Sequence, residues 1–149
     1  MVDKVEIRVL EHPNIDLMKI SESMNPSDDL SFMKDMLEIA HKTPMLGLAA
    51  PQIGILKRVI LIWHPNMKLF MINPKIIYRK LGEINSVETC LSLPGKRYIV
   101  KRAKLIKVEF YDESTNRHTL KVRDELACVI QHEIDHLDGK LILTGMSVR

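Results

Sequence analysis

Two histidines four residues apart, His132 and His136, enclose Glu133 in the stretch Gln131-His132-Glu133-Ile134-Asp135-His136-Leu137. On an α-helix, side chains at that spacing stand on one face with Cβ atoms roughly 5–6 Å apart, so both imidazoles reach a common cation. Glu133 lies about 100° round the helix from His132. Its carboxylate therefore flanks the cation without joining its ligands, a placement suited to a general base acting on metal-activated water. A surface helix that merely carries two histidines has the same pattern, so the rest of the donor set must decide.

A hydrolytic metal site needs a third protein ligand and one open position. Cys128 shares the face of His132 but lies roughly 12 Å of helical rise from His136, too far for bonds near 2 Å to gather all three. It reads instead as a small buried residue, the commoner fate of a free cysteine. His12, His41, His64 and His118 sit in unpatterned surroundings and read as surface or turn residues. Cys90 remains, in Val87-Glu88-Thr89-Cys90-Leu91-Ser92-Leu93-Pro94, where an expected strand end can hold it rigidly. One thiolate with two imidazoles accepts iron(II), zinc, nickel or cobalt.

The elements that must position these residues can be read from periodicity. Val5 to Leu10 alternates weakly, as an edge strand would. Leu30, Met33, Met36, Leu37 and Ala40 recur at helical spacing, with Ser27 or Asp28 as the expected cap and Pro44 as the stop. The small apolar stretch Gly47 to Gln52 precedes a β-branched run, Arg58 to Trp63, that reads as a buried strand. Leu69–Asn73, Lys75–Arg79 and Ile84–Val87 read as separate short strands broken by Pro74 and Gly82. Leu105 to Tyr111 alternates and turns at Asp112–Asn116 into a strand from Thr119 to Arg123. Ala127, Ile130, Ile134 and Leu137 restore helical spacing between Asp124 as cap and Gly139 as C′. The fold class is α+β, mostly antiparallel short strands around a central helix that carries the H-E-x-x-H motif.

Composition narrows the function classes. The chain has 149 residues, 46% hydrophobic and 28% charged, enough for one domain with its own core over residues 1–149. Its two cysteines form no C-x-x-C pair, which points to a reducing compartment without a disulfide framework. Met1-Val2-Asp3-Lys4-Val5-Glu6 shows no apolar leader and no run is long enough to span a bilayer, so a soluble cytoplasmic protein is expected. A net charge of +3 is mild, and the densest basic stretch, Lys96 to Lys104, reads as a solvated strand edge rather than a nucleic-acid site.

Three stretches together resemble a known family. Gly47-Leu48-Ala49-Ala50-Pro51-Gln52, Glu88-Thr89-Cys90-Leu91-Ser92 and Gln131-His132-Glu133-Ile134-Asp135-His136-Leu137 stand in the order and spacing of the signature motifs of peptide deformylases. Val9-Leu10-Glu11-His12-Pro13 resembles the family's N-terminal V-L-x-x-P, and the likeness runs to Gly139-Lys140-Leu141. The resemblance implies removal of the formyl group from formylmethionyl peptides of nascent chains at the ribosome, by a monomer with no specific nucleic-acid or membrane partner. It implies one divalent metal, physiologically iron(II), with zinc, nickel or cobalt as alternatives, held by Cys90, His132 and His136. Glu133 would be base and then acid. Gln52 and the backbone N–H of Leu91 would stabilise the oxyanion, and Glu88 with Arg102 would steady the cysteine-bearing segment. Leu46, Gly47 and Thr89 would pair with an extended peptide, Cys128 and Leu46 would wall the methionine pocket, and Arg97 would stand at its mouth.

The chain departs from the family pattern at four points. Met45 and Thr89 replace the usual glycines of the first and second motifs, and Ser86 and Glu125 fall where the pocket is commonly more apolar. The chain stops ten residues past Gly139, as in compact deformylases carried by bacterial viruses. Two other functions compete for the bare motif. A metallopeptidase would need a downstream His or Glu, which Leu141 to Arg149 do not provide. A structural metal or formyl-peptide binding module would hold a four-coordinate metal with no exchangeable position.

Overall fold

A computed structural model describes residues 7–148. The strands are β1 (Gly47–Ala49), β2 (Val59–His64), β3 (Met67–Cys90), β4 (Leu93–Tyr111), β5 (Arg117–Arg123) and β6 (Met146–Val148), with helices α1 (Phe32–Lys42) and α2 (Asp124–Leu137). The sheet runs in the order β1-β2-β3-β4-β5, and β6 pairs with β4. The pairings between these strands are all antiparallel. The architecture is α+β.

Why the run after Arg58 contains no polar alternation is now evident. Ile60 and Ile62 point into a core with Ala127, Ile130, Ile134 and Leu137 of α2, joined by Ile106, Val108 and Phe110 of β4. Val59 and Leu61 point the other way, into a core with Met33, Met36, Ile39 and Ala40 of α1. A strand covered on both faces is apolar at every position, and each fully buried Ile or Leu contributes roughly 1.5–3 kcal/mol. The α1 methionines fill this second core, as adaptable side chains do.

Three expectations need correction. Pro74 and Gly82 do not break β3: the three short strands are one strand, with register shifts at Ile72/Lys75 and Lys80/Glu83. An irregularity at each point lets proline forgo its donor and lets Gly82 adopt φ 72°, so the strand bends without ending. The basic stretch is not an edge, since Lys101, Arg102 and Ala103 pair with β3 while Arg97 to Ile99 pair with β6 on the other side. Residues 7–10 form no strand; Leu10 N donates to the Gln52 carbonyl at 2.6 Å, and Val5 and Glu6 lie outside the described residues.

Helix boundaries shift by local chemistry. Asp28 Oδ2 accepts from Asn25 N and closes a turn there, so α1 starts only after Ser31. α2 ends as expected, with Gly139 in the left-handed region at φ 71°. The Arg58 guanidinium donates to the Leu137 carbonyl at 3.0 Å and to Asp138 Oδ1 at 2.9 Å, a cation on the negative end of the helix. That clamp and the four α2 core residues fix the rotation of the helix, and with it the direction in which His132 and His136 point.

Candidate active site

α2 carries His132, Glu133 and His136, and the last residue of β3 is Cys90. The fold brings them together: the ligand atoms of Cys90, His132 and His136 all lie within 4.8 Å of one another. Cys90 Sγ stands 3.3 Å from His136 Nε2. Cys128, though buried, is not part of this group. It lines the cleft beside it.

The donor set can be tested against a metal. His132 Nδ1 is engaged by Glu88 Oε1 at 2.9 Å, which leaves Nε2 to face the cluster. Ligands at about 2.0–2.3 Å in a tetrahedron sit about 3.5 Å apart, close to the observed 3.3 Å between Cys90 and His136. The electrostatics agree. Burial works against a charged His132, yet Cys90, Glu133 and Glu88 outweigh it and lift the imidazole to about 10, so this point of the protein favours positive charge. Burial instead drives His136 well below its usual range, reinforced by His132, leaving a neutral imidazole able to donate a lone pair. One soft or borderline divalent cation fits these three donors.

Glu133 Oε1 lies 4.0 Å from Nε2 of both histidines. Only 3% exposed, it is pushed by burial up to about 7, poised to take up and release a proton near neutrality. Gly47 of β1 makes room for it. A Cβ there would fall 2.7 Å from Glu133 Oε2, so no larger residue fits without displacing the carboxylate.

Gln52 reaches the cluster from a 3-10 turn, Ala50–Ile53, that follows β1. Its Oε1 accepts from Ala49 N at 2.9 Å, which fixes the amide so that Nε2 faces Ser92 Oγ at 3.1 Å and Cys90 Sγ at 3.6 Å. A neutral N–H donor is thereby aimed at the cleft. Leu91 lines the same cleft from the β3–β4 turn, with Leu46, Gly47, Thr89 and Arg97 around it. The cleft has a volume of about 990 Å³.

Behind the histidine lies a buried ion network. Arg102 grips Glu88 with two nitrogens at 2.7 and 2.9 Å and reaches Asp135 Oδ2 at 2.5 Å. Burial raises the Glu88 carboxyl, but Arg102 and His132 overcome it and hold the group down to about 2. Glu88, ionised at neutral pH, then orients the His132 ring. Asp135 belongs to this network although it has no assigned part in the motif reading. Its position three residues after His132, on the same helix face, was the available signal.

Two further residues escaped the sequence reading. His64 is not at the surface: it is buried at the end of β2, with Nε2 2.6 Å from Glu125 Oε1. Gln131 exchanges hydrogen bonds with the backbone N–H and C=O of Ala103, both at 2.9 Å, and so fastens α2 to β4. A buried glutamine next to two metal-type histidines carries no periodic signal of its own.

Comparison with known proteins places this geometry. Residues 5–149 match the family model described as Polypeptide deformylase. The chain is 40% identical over 126 residues to a peptide deformylase of Rickettsia akari, spanning 78% of this chain and 72% of that one. It is 43% identical over 112 residues to one of Agathobacter rectalis, spanning 75% and 70%. Among solved structures, it superposes on a PDF from the Vibrio parahaemolyticus bacteriophage VP16T with TM-score 0.86 and 34% identity, covering 91% of this chain and 99% of that chain. A peptide deformylase from Synechococcus elongatus gives TM-score 0.89 at 30% identity, covering 99% and 84%. Both of those crystals contain actinonin.

Proposed function

The chain belongs to the peptide deformylase family, and on that premise we propose that its cleft is the site where the N-formyl group is removed from nascent peptides, within a single catalytic domain over residues 1–149. It is a hydrolase of that class. The observation that carries the site reading is the convergence of Cys90, His132 and His136 beside a buried Glu133.

Cys90, His132 and His136 would hold one divalent cation, which when bound supplies Lewis-acid chemistry: it acidifies water and polarises the formamide carbonyl. Iron(II) is our choice for the physiological ion, with zinc, nickel or cobalt able to replace it. Glu133 accepts the proton from the attacking water as the new C–O bond forms. Gln52 Nε2 and the Leu91 N–H donate to the carbonyl oxygen as it becomes anionic, an arrangement in which one lost donor typically costs about 2.7–4 kcal/mol of barrier. Glu133 then returns its proton to the amine as the C–N bond breaks, leaving formate and a free N-terminus. Leu46, Gly47 and Thr89 pair with the extended peptide backbone, Leu46 and Cys128 wall the first side chain, and Arg97 meets groups further along. Glu88 and Arg102 keep His132 in place. No helix among the described residues is long and apolar enough to cross a membrane, and we assign the enzyme to the cytoplasm, acting as a monomer on chains leaving the ribosome.

Anaerobically purified protein loaded with iron(II) or nickel is expected to release formate from formyl-Met-Ala-Ser and to leave internal peptide bonds intact. Glu133→Ala should keep its metal, read by elemental analysis, while kcat/KM falls by about 10²–10⁴-fold. Metal binding without formate release by the parent protein would defeat this assignment.

A further inference from the structure

From the ligand cluster the cleft continues along one face of α2: His132, then Cys128 and Val129, then Glu125, with Ser86 of β3 across from them. Glu125 lies two helical turns before His132, about 10 Å along the axis. A lysine side chain extends roughly 6 Å past its Cα, and the formyl carbon stands about 2.5 Å before that atom. The far end of the cleft is thus within reach of the tip of a long first side chain.

That end is polar. Ser86 contributes a hydroxyl beside the Cys128 thiol, and Glu125 presents a carboxylate. Acids in a first helical turn are common because they complement the helix dipole, and Asp124 and Glu125 both qualify. The dipole does not account for His64. This histidine is 6% exposed; Asn66 N donates to its Nδ1 at 3.1 Å, so its proton sits on Nε2 and is donated to Glu125 Oε1 at 2.6 Å. Glu125 is therefore anchored through one oxygen by a residue of another element, while Oε2 has no partner among the described residues. Arg97 also lines the cleft, but among the described residues the ion-pair partner of Glu125 is His64.

Resting on the deformylase reading above, we propose that Glu125 is a specificity-determining residue: held by His64, it receives a cationic tip on the first side chain, so that formyl-lysyl peptides are substrates alongside formyl-methionyl ones. The carboxylate remains 71% exposed at its side chain, so solvent screens the pair, and the preference it adds is about fivefold rather than many orders.

The test compares formyl-Lys-Ala-Ser with formyl-Met-Ala-Ser on the nickel-loaded wild type, Glu125→Leu and Glu125→Gln, and in parallel measures calorimetric binding of the products Lys-Ala-Ser and Met-Ala-Ser. Both variants should lower the lysine-to-methionine ratio about fivefold, in kcat/KM and in affinity alike. Glu125→Gln removes charge with little change of shape, which separates recognition from packing. A ratio within twofold of wild type in both variants overturns the proposal. Formate from formyl-Met-Ala-Ser alone likewise overturns it; absence of formate from both peptides would instead count against the deformylase reading, and the binding ratios would still decide the part played by Glu125.

Discussion

Two arginine–carboxylate pairs in this molecule have the same length and opposite surroundings. Arg102 Nη2 and Glu88 Oε1 are 2.7 Å apart with side chains 6% and 8% exposed, whereas Arg117 Nη2 and Glu109 Oε2 are 2.7 Å apart with side chains 62% and 23% exposed. Distance alone would rank them equal. Their consequences differ because water competes for the second pair and not for the first. The buried pair belongs to a chain of contacts that ends on His132, so its geometry is transmitted to the site. The exposed pair joins β4 to β5 beside a hairpin turn, next to Asp112 and His118 at 2.7 Å, and transmits nothing to the cleft.

The largest separation between the two is expected on removing the cation. Arg102→Met leaves Glu88 buried without its partner, and breaking a buried pair from one side costs about 3–5 kcal/mol. His132 would also lose its fixed orientation, with metal affinity falling by about 10–100-fold, as for other partners of metal ligands. Urea unfolding and metal titration of Arg102→Met and Arg117→Met, side by side, make the comparison. Equal shifts in both variants would show that burial is not what distinguishes these pairs.

A smaller effect, visible through pH, tests the same pair from the acid side. The Glu88 carboxyl is held near 2 against an ordinary value of 4.5. For a carboxyl depressed in the folded state, the stabilisation is complete above the unfolded value and disappears as pH falls through the folded one. About 3 kcal/mol should therefore be present at neutrality, intact down to about pH 4.5 and lost between there and about pH 2. Stability of wild type and Glu88→Gln, followed by urea unfolding in the presence of a chelator, should show this slope in wild type and a flatter one in the variant. Parallel curves would remove Glu88 as the cause.

How much of this contrast was legible beforehand depends on whether a residue announces itself through spacing. His132, Glu133 and His136 do, since a helix converts an interval of four into a shared face. Cys90 followed by elimination, and Gln52, Leu91, Glu88 and Arg102 only through the family likeness. The α2 core positions were readable from period, and β2 from its unbroken β-branched apolar run. What could not be read is what depends on long-range pairing. Pro74 and Gly82 look like strand breaks until the partner strand absorbs a bulge at each. The stretch from Lys96 to Lys104 looks like an edge because its charges are visible and its two neighbouring strands are not. His64 reads as a surface histidine because Glu125, sixty-one residues away, is what makes burying it tolerable.

The smallest expected effect concerns the exposed pair itself, and it is informative because it is small. Arg117 Nη2 donates to Glu109 at the same 2.7 Å that Arg102 Nη2 keeps from Glu88, though through one nitrogen rather than two, and Glu109 raises its affinity for the proton just as Glu88 does for Arg102. An argument from contacts alone would therefore predict that Arg117→Ala harms the protein. An argument from solvation predicts otherwise: in water the guanidinium and carboxylate each regain hydration when parted, and the side-chain entropy released offsets what the contact gave. The β4–β5 register does not need the pair, because seven residue pairs from Leu105/Arg123 to Tyr111/Arg117 hold the strands together. Arg117→Ala should leave the melting temperature within replicate scatter and kcat/KM for formyl-Met-Ala-Ser unchanged. A clear loss of stability that disappears at high salt would show that this surface pair is electrostatically coupled to the fold after all, and the division between the two regions would have to be drawn by network rather than by burial.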